Sequence, residues 1–168
     1  HRGQFQDLSA EAAEELEEME GAGEAGAVGA PERVEDILNQ GIRHEYTVIL
    51  QYLFHSFIAE DKEAAEHLEN TAINEMQHMG WLAEELAERG TEPEYEHDEP
   101  LLTRDLEEGL EADIAVEQSV TDAYNSQIPE LDDEELRALV SRIRDNEIYH
   151  DAIFKDLLAE LREKMQPE

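Results

Sequence analysis

Residues 73–82 read INEMQHMGWL, with Glu75 and His78 three apart among Ile73, Met76, Met79, Trp81 and Leu82. Helical positions three apart share one face, so a carboxylate and an imidazole placed there can serve one metal ion. The same spelling recurs in RDNEIYHDAIF, where Asn146 and Glu147 precede His150. In a chain with 45 acidic residues such matches also arise by accident. A third one, Glu94 to His97, lies between Pro93 and Pro100 and reads as a loop.

Context separates the first two from chance. Glu75 and His78 continue the apolar series Leu68, Ala72 and Leu82, and Glu147 and His150 continue Leu139, Ile143 and Phe154. Two further helical stretches carry a single acid in the same situation: Glu45 between Ile42 and Ile49, and Glu117 between Ile114 and Val120. Buried carboxylates without partners cost several kcal/mol, so acids on four apolar faces call for a cation. Glu45 to Glu117, Glu75 to Glu147 and His78 to His150 are each 72 residues apart, as are Asn74 and Asn146. Two helical hairpins presenting the same residues in the same register imply a pseudo-twofold axis between two metal ions. Glu75 and Glu147 are then placed to bridge them. The competing reading is a core of histidines paired with glutamates.

Working outward, helical apolar spacing predicts four helices at about 31–59, 62–89, 102–127 and 132–165. Pro31 suits a first helical turn, and Gly90 suits a helix end. No stretch alternates as a strand does, so the expected class is an all-α bundle. The links between helices one and two and between helices three and four are short and give antiparallel pairs. The segment around TEPEYEHDEP is long enough to cross the bundle, which makes helices two and three parallel. Residues 1–30 are expected as an acidic, flexible tail with a short helix at 9–20, because GAGEAGAVGA is a linker composition. Residues 31–166 then form the bundle.

Composition narrows the function. The formal charge of −33 repels nucleic acid and anionic membranes, so neither is an expected partner. Twelve basic residues include only three lysines, Lys62, Lys155 and Lys164, which resembles proteins of salt-loving organisms. With no cysteine, any metal must use oxygen and nitrogen ligands. HRGQFQDLSA lacks the apolar core of a signal peptide, and no run is long enough to span a bilayer, so a cytoplasmic location is expected.

At these residues the chain resembles the ferritin-like di-iron carboxylate proteins, and bacterioferritins most closely. HEYTVILQYLFHSF is similar to their first helix, NEMQH to their second-helix motif, ADIAVE to the segment ending in the third-helix glutamate, and DNEIYH to the last pair. The resemblance covers about residues 35–160. It implies a ferritin-like antiparallel four-helix bundle with a crossover between helices two and three. It also implies two iron ions on Glu45, Glu75, His78, Glu117, Glu147 and His150, oxidising Fe(II) with dioxygen or peroxide in iron storage or detoxification. Tyr52 falls where bacterioferritins carry a tyrosine beside the centre, which implies a catalytic role for it in donating an electron or a hydrogen bond to a bound oxygen species, and Met76 falls where they carry a haem ligand shared by two subunits. A homodimer or higher homo-oligomer, paired through helices one and two, follows from the same likeness. Asn74 and Asn146 depart from the aspartate common in the family. Val120 departs from the extra glutamate of rubrerythrin-type peroxidases. The chain stops at REKMQPE, where cage-forming ferritins have a fifth helix, so an assembly short of a 24-mer is expected. Two rivals stand beside this expectation. One is a di-iron or iron–manganese oxidase acting on an organic substrate, which an apolar tunnel would mark. The other is a non-catalytic iron carrier.

Overall fold

The computed structural model describes residues 29–131 and 133–166, so nearly all of the expected tail, with its helix at 9–20, lies outside the described residues. Four long helices follow in order: α1 Pro31–Ile58, α2 Lys62–Glu88, α3 Leu106–Gln127 and α4 Glu134–Met165, with a 3-10 turn at Ile128–Glu130. Among the described residues there is no strand.

Aspartates set three of the four starts. Asp61, Asp105 and Asp133 stand at the N-caps of α2, α3 and α4, and each carboxylate accepts the backbone N–H groups two and three residues on. These donors have no partner within the helix, so the cap fixes the first turn. Two expected boundaries move as a result. The third helix begins at Leu106, not 102, and the fourth at Glu134, not 132. Leu102 extends the helical periodicity in the sequence, yet it is 49% exposed and lies ahead of the cap. At the far end of α2, Gly90 takes φ 79°. Gly90 N–H donates to Ala87 O and Thr91 N–H to Leu86 O, a closure that suits glycine because it needs a left-handed residue.

The chain between α2 and α3 is strapped along α1 by a ladder with helical spacing. Thr91 donates to Glu35, Glu94 N–H to Asn39, Asp98 N–H to Thr47, and Leu101 N–H to Gln51, while Arg43 pairs with Glu96 and Asp98. Positions 35, 39, 43, 47 and 51 are four apart and share one stripe of α1. The strap runs in the direction of α1 for about 24 Å. It delivers α3 at the C-terminal end of α1, so α3 is antiparallel to α1 and parallel to α2.

Packing divides into three layers along the bundle axis. One apolar end contains Leu38, Ile42, Leu82, Leu86, Leu136 and Ile143, and the other contains Val48, Leu68, Leu110, Phe154 and Leu158. Between them lies a buried polar layer. Ile49 and Ile114, counted above with the acid-bearing stripes, are only half-buried, and Leu139 and Leu161 likewise pack at the margin. Of the apolar residues off the main stripes, Met79 and Trp81 pack against the core. Phe57 (80%), Ile73 (44%) and Met76 (52%) remain exposed.

Candidate metal centre

The polar layer consists of Glu45 from α1, Glu75 and His78 from α2, Glu117 from α3, and Glu147 and His150 from α4, all buried. They fall into two groups whose ligand atoms lie within 4.8 Å of one another: Glu45, Glu75, His78 and Glu147; and Glu75, Glu117, Glu147 and His150. Glu75 and Glu147 belong to both. His78 Nδ1 lies 2.7 Å from Glu75 and 3.1 Å from Glu147. His150 Nδ1 lies 2.7 Å from Glu75 and 3.7 Å from Glu147. Glu94 and His97 stay outside, exposed on the strap.

These distances are short, but the atoms are not aligned as hydrogen bonds. Among the described residues, the buried side-chain nitrogen and oxygen atoms without a hydrogen-bond partner all belong to these six residues, except His44 Nε2 and His55 Nε2. Buried polar atoms are normally satisfied, so a convergent set of orphans is a cost that a bound cation would remove. Carboxylate oxygens and imidazole nitrogens suit divalent iron, manganese or zinc. The donor set therefore fits two metal ions sharing two bridging carboxylates.

The second ring nitrogens are held across the bundle. His150 Nε2–H donates to Asn74 Oδ1 at 2.9 Å, and the Asn146 amide nitrogen faces His78 Nε2 at 2.9 Å. A half-turn of that amide presents its oxygen instead. Each asparagine thus serves the histidine of the opposite hairpin, a crossing the spacing alone did not predict. The outer carboxylates are held by phenols. Tyr52 donates to Glu117 at 2.5 Å, and Tyr124 donates to Glu45 at 2.7 Å. Tyr124 went unremarked in the sequence because it falls on the apolar stripe of α3. It lies 72 residues from Tyr52, the same offset as the other pairs, and that signal was available.

Protonation follows from crowding. Burial, and then the neighbouring Glu147 and Glu75, push Glu45 well above the usual carboxyl range, and burial with the same neighbours does so for Glu117. Burial also raises Glu147, but contacts with His150 and His78 outweigh it and bring the group to about 2. Glu75 is likewise lowered, because the two histidines outweigh burial and the charge of Glu147. Burial lowers both imidazoles, yet the bridging glutamates hold His78 and His150 at about 9. Burial and the facing glutamates push both phenols up, so Tyr52 and Tyr124 remain donors. At pH 7 two imidazolium groups therefore face two carboxylates, and Glu45 and Glu117 hold their protons to higher pH than an ordinary carboxyl does.

A second buried polar group was missed in the sequence. His55 Nδ1–H donates to Asp113 Oδ2 at 2.9 Å, and Gln51 Nε2–H donates to Asp113 Oδ1 at 2.7 Å. Gly109 allows the His55 ring to approach, since a Cβ there would lie 3.0 Å from Nε2. Burial raises the Asp113 carboxyl above its ordinary range despite His55 and Gln51.

The chain matches the ferritin-like domain over residues 35–164, and it belongs to that family. Solved structures like it include bacterioferritins. One, from Desulfovibrio desulfuricans and described with a di-iron site in different catalytic states, is 23% identical. It aligns over 77% of this chain and 80% of its own, with TM-score 0.74. A mycobacterial bacterioferritin is 26% identical over 80% of this chain and 88% of its own, with TM-score 0.73. The bacterioferritin of Mycobacterium tuberculosis is 27% identical over 82% and 89%, also with TM-score 0.73. No curated protein matches the chain in sequence. Among the described residues, no helix is long and apolar enough to cross a membrane.

Proposed function

We propose that this chain is a ferroxidase-type oxidoreductase of iron storage or detoxification. The observation that carries the reading is the pair of overlapping four-residue groups sharing Glu75 and Glu147, in a layer where nearly every orphaned buried polar atom gathers. Glu45 and His78 would hold one ion, Glu117 and His150 the other, and Glu75 and Glu147 both. Two iron ions there would supply the redox chemistry that moves electrons from Fe(II) to dioxygen or peroxide.

The protein's own share is positioning and proton handling. His78 and His150 present Nδ1 to the centre while Asn146 and Asn74 hold Nε2, so neither ring can rotate away. With Nδ1 on a metal, Nε2–H must donate, and Asn146 then offers its amide oxygen. Tyr52 and Tyr124 orient the outer carboxylates by donating to one oxygen each, leaving the second oxygen free. They act as positioning residues. The apolar layers on both sides keep bulk water from the shared carboxylates.

An organic-substrate oxidase would need an apolar passage to the centre. Among the described residues, a cavity of about 500 Å³ between α1, the strap and α3 is lined by none of the six residues, which favours ferroxidation. Pairing with a second copy belongs to this proposal as well, because Phe57, Ile73 and Met76 leave apolar surface on the first hairpin. Haem held by Met76 and its copy would show as a Soret band lost in Met76→Leu.

The direct test is anaerobic loading with Fe(II) followed by exposure to oxygen. Uptake of two Fe(II) per chain and rapid oxidation are expected, and Glu75→Ala should abolish oxidation while helical circular dichroism is retained. Undiminished oxidation in that variant would sink the reading.

A further inference from the structure

The four carboxylates of Glu45, Glu75, Glu117 and Glu147 match two divalent ions charge for charge. The groups around them leave that balance unaltered. Tyr52 and Tyr124 donate to the outer carboxylates as phenols, and Asn74 and Asn146 face the histidines as amides. The one further buried carboxyl among the described residues is Asp113. It is engaged in a clamp by Gln51 and His55, which has no counterpart at the 72-residue offset, where Ala123, Gln127 and Gly41 stand. On the other flank the Arg142 guanidinium lies 4.7 Å over the Trp81 ring, whose centre is 5.6 Å from that of His78. The charge added there is positive.

The two asparagines carry the argument. Histidine ligands commonly donate their second N–H to a carboxylate, whose charge raises the basicity of the ligating nitrogen. An asparagine has the shape of an aspartate and accepts the same bond without the charge. Asn74 is held in the accepting sense, since its amide nitrogen points to Gln77 Oε1 at 3.4 Å and its oxygen to His150. The neutral partner occurs twice, 72 residues apart, and each copy serves the histidine of the opposite hairpin. Both histidines are treated alike. A positive charge beyond two per ion would therefore lack a counter-charge, in a layer bounded by apolar residues at both ends.

From this we infer that Asn74 and Asn146 are specificity-determining residues, which set the centre to hold divalent ions in preference to trivalent ones. The inference rests on the two-metal reading. Their effect comes through charge, not through the hydrogen bond, which an aspartate would make as well. An aspartate at either place would put a negative charge across the imidazole ring from the bound ion. At an effective dielectric of about 20, its attraction for a third positive charge is worth about tenfold or more in affinity.

Competition between ions tests this without relying on oxidation. The full chain is loaded anaerobically with two Co(II), whose visible absorption reports the bound ion. It is then titrated with Ga(III), supplied as its nitrilotriacetate complex, and in parallel with Zn(II). In Asn74→Asp and in Asn146→Asp, the Ga(III) needed to displace half the Co(II) should fall by about tenfold or more. With both aspartates the fall should be about a hundredfold, while the Zn(II) needed changes by less than about twofold. Asn74→Ala and Asn146→Ala lose the bond without adding charge, so they should weaken all three ions alike and leave the ratios unchanged. In the iron-loaded chain the same tenfold reads as a midpoint potential lower by about 59 mV for each aspartate. Either single variant carries the test where the double one does not fold. Aspartate variants with an unchanged Ga(III) ratio would overturn the inference while leaving the two-metal reading intact. So would alanine variants that shift the ratio as far. An unmodified chain that binds fewer than two Co(II) would overturn both.

Discussion

The ends of the bundle and its middle are stabilised by opposite means. At the ends, Leu38, Ile42, Leu86, Leu110 and Phe154 are wholly buried and contribute by leaving water. In the middle, four carboxyls and two imidazoles are just as buried, and their burial is a cost. The ends need nothing more than the chain itself. The middle is balanced by protons in the free protein and would be balanced by cations when loaded. A fold can thus carry a costly layer when apolar layers on either side hold its geometry.

Metal loading should separate the two regions most sharply. Divalent ions bind only the folded middle layer, so at a thousandfold excess over Kd each ion would add about 4 kcal/mol. The melting temperature of the loaded chain should rise well above that of the free one, and a chelator should reverse the rise. An unchanged melting temperature would mean that the orphaned atoms are not ligands.

The pH dependence of the free chain gives the next largest effect. His78 and His150 stand at about 9 in the fold, above their ordinary 6.5. Their contribution is fully present below pH 6.5 and is lost as pH rises through about 9. Glu147, at about 2, contributes above its ordinary 4.5 and loses that contribution as pH falls toward 2. The free chain should therefore be most stable between about pH 4.5 and 6.5 and should melt progressively lower toward pH 9. In the loaded chain the imidazoles are already deprotonated, so the alkaline loss should vanish. Loading at pH 7 should also release about two protons per chain from the two imidazoliums, measurable by pH-stat. A flat alkaline limb in the free chain would show that its histidines are neutral.

The smallest effect is the most specific. Burial pushes the Glu45 carboxyl up in the free chain, where it accepts from Tyr124. Glu45→Gln preserves that shape and acceptor, so chemical denaturation of the free chain should change by less than about 1 kcal/mol. The same variant should lose much of the stabilisation by metal. A large loss in the free chain would mean that the Glu45 carboxylate is charged there.

Much of this layering is legible in the sequence, and the reason is physical. Acids on apolar stripes contradict the rule that governs the rest of each helix, so Glu45, Glu75, Glu117 and Glu147 stand out one by one. The repeated offset then joins them. What escaped notice is also instructive. Tyr124 obeys the apolar rule and so raised no question, although the offset from Tyr52 pointed to it. Gln51 and His55 look like unremarkable polar residues within QYLFH, and Asp113 like one more acid in an acidic chain. A search for repeats finds where two halves agree, so a clamp that exists in one half only is invisible to it. The helix starts were misplaced because periodicity runs past the caps, whereas an aspartate binding two free N–H groups ends it.

The strap has a consequence for symmetry itself. Two separate hairpins of this kind, related by a twofold axis across the bundle, would have no reason to differ. Joining them in one chain requires a link, and because the axis reverses the helices, that link must travel their whole length on one side. It lies along α1 and roofs the groove beside Gln51 and Val116, while among the described residues no second strap covers the related groove beside Ala123 and Gly41. Continuity of a single polypeptide is enough to give two like halves different neighbours.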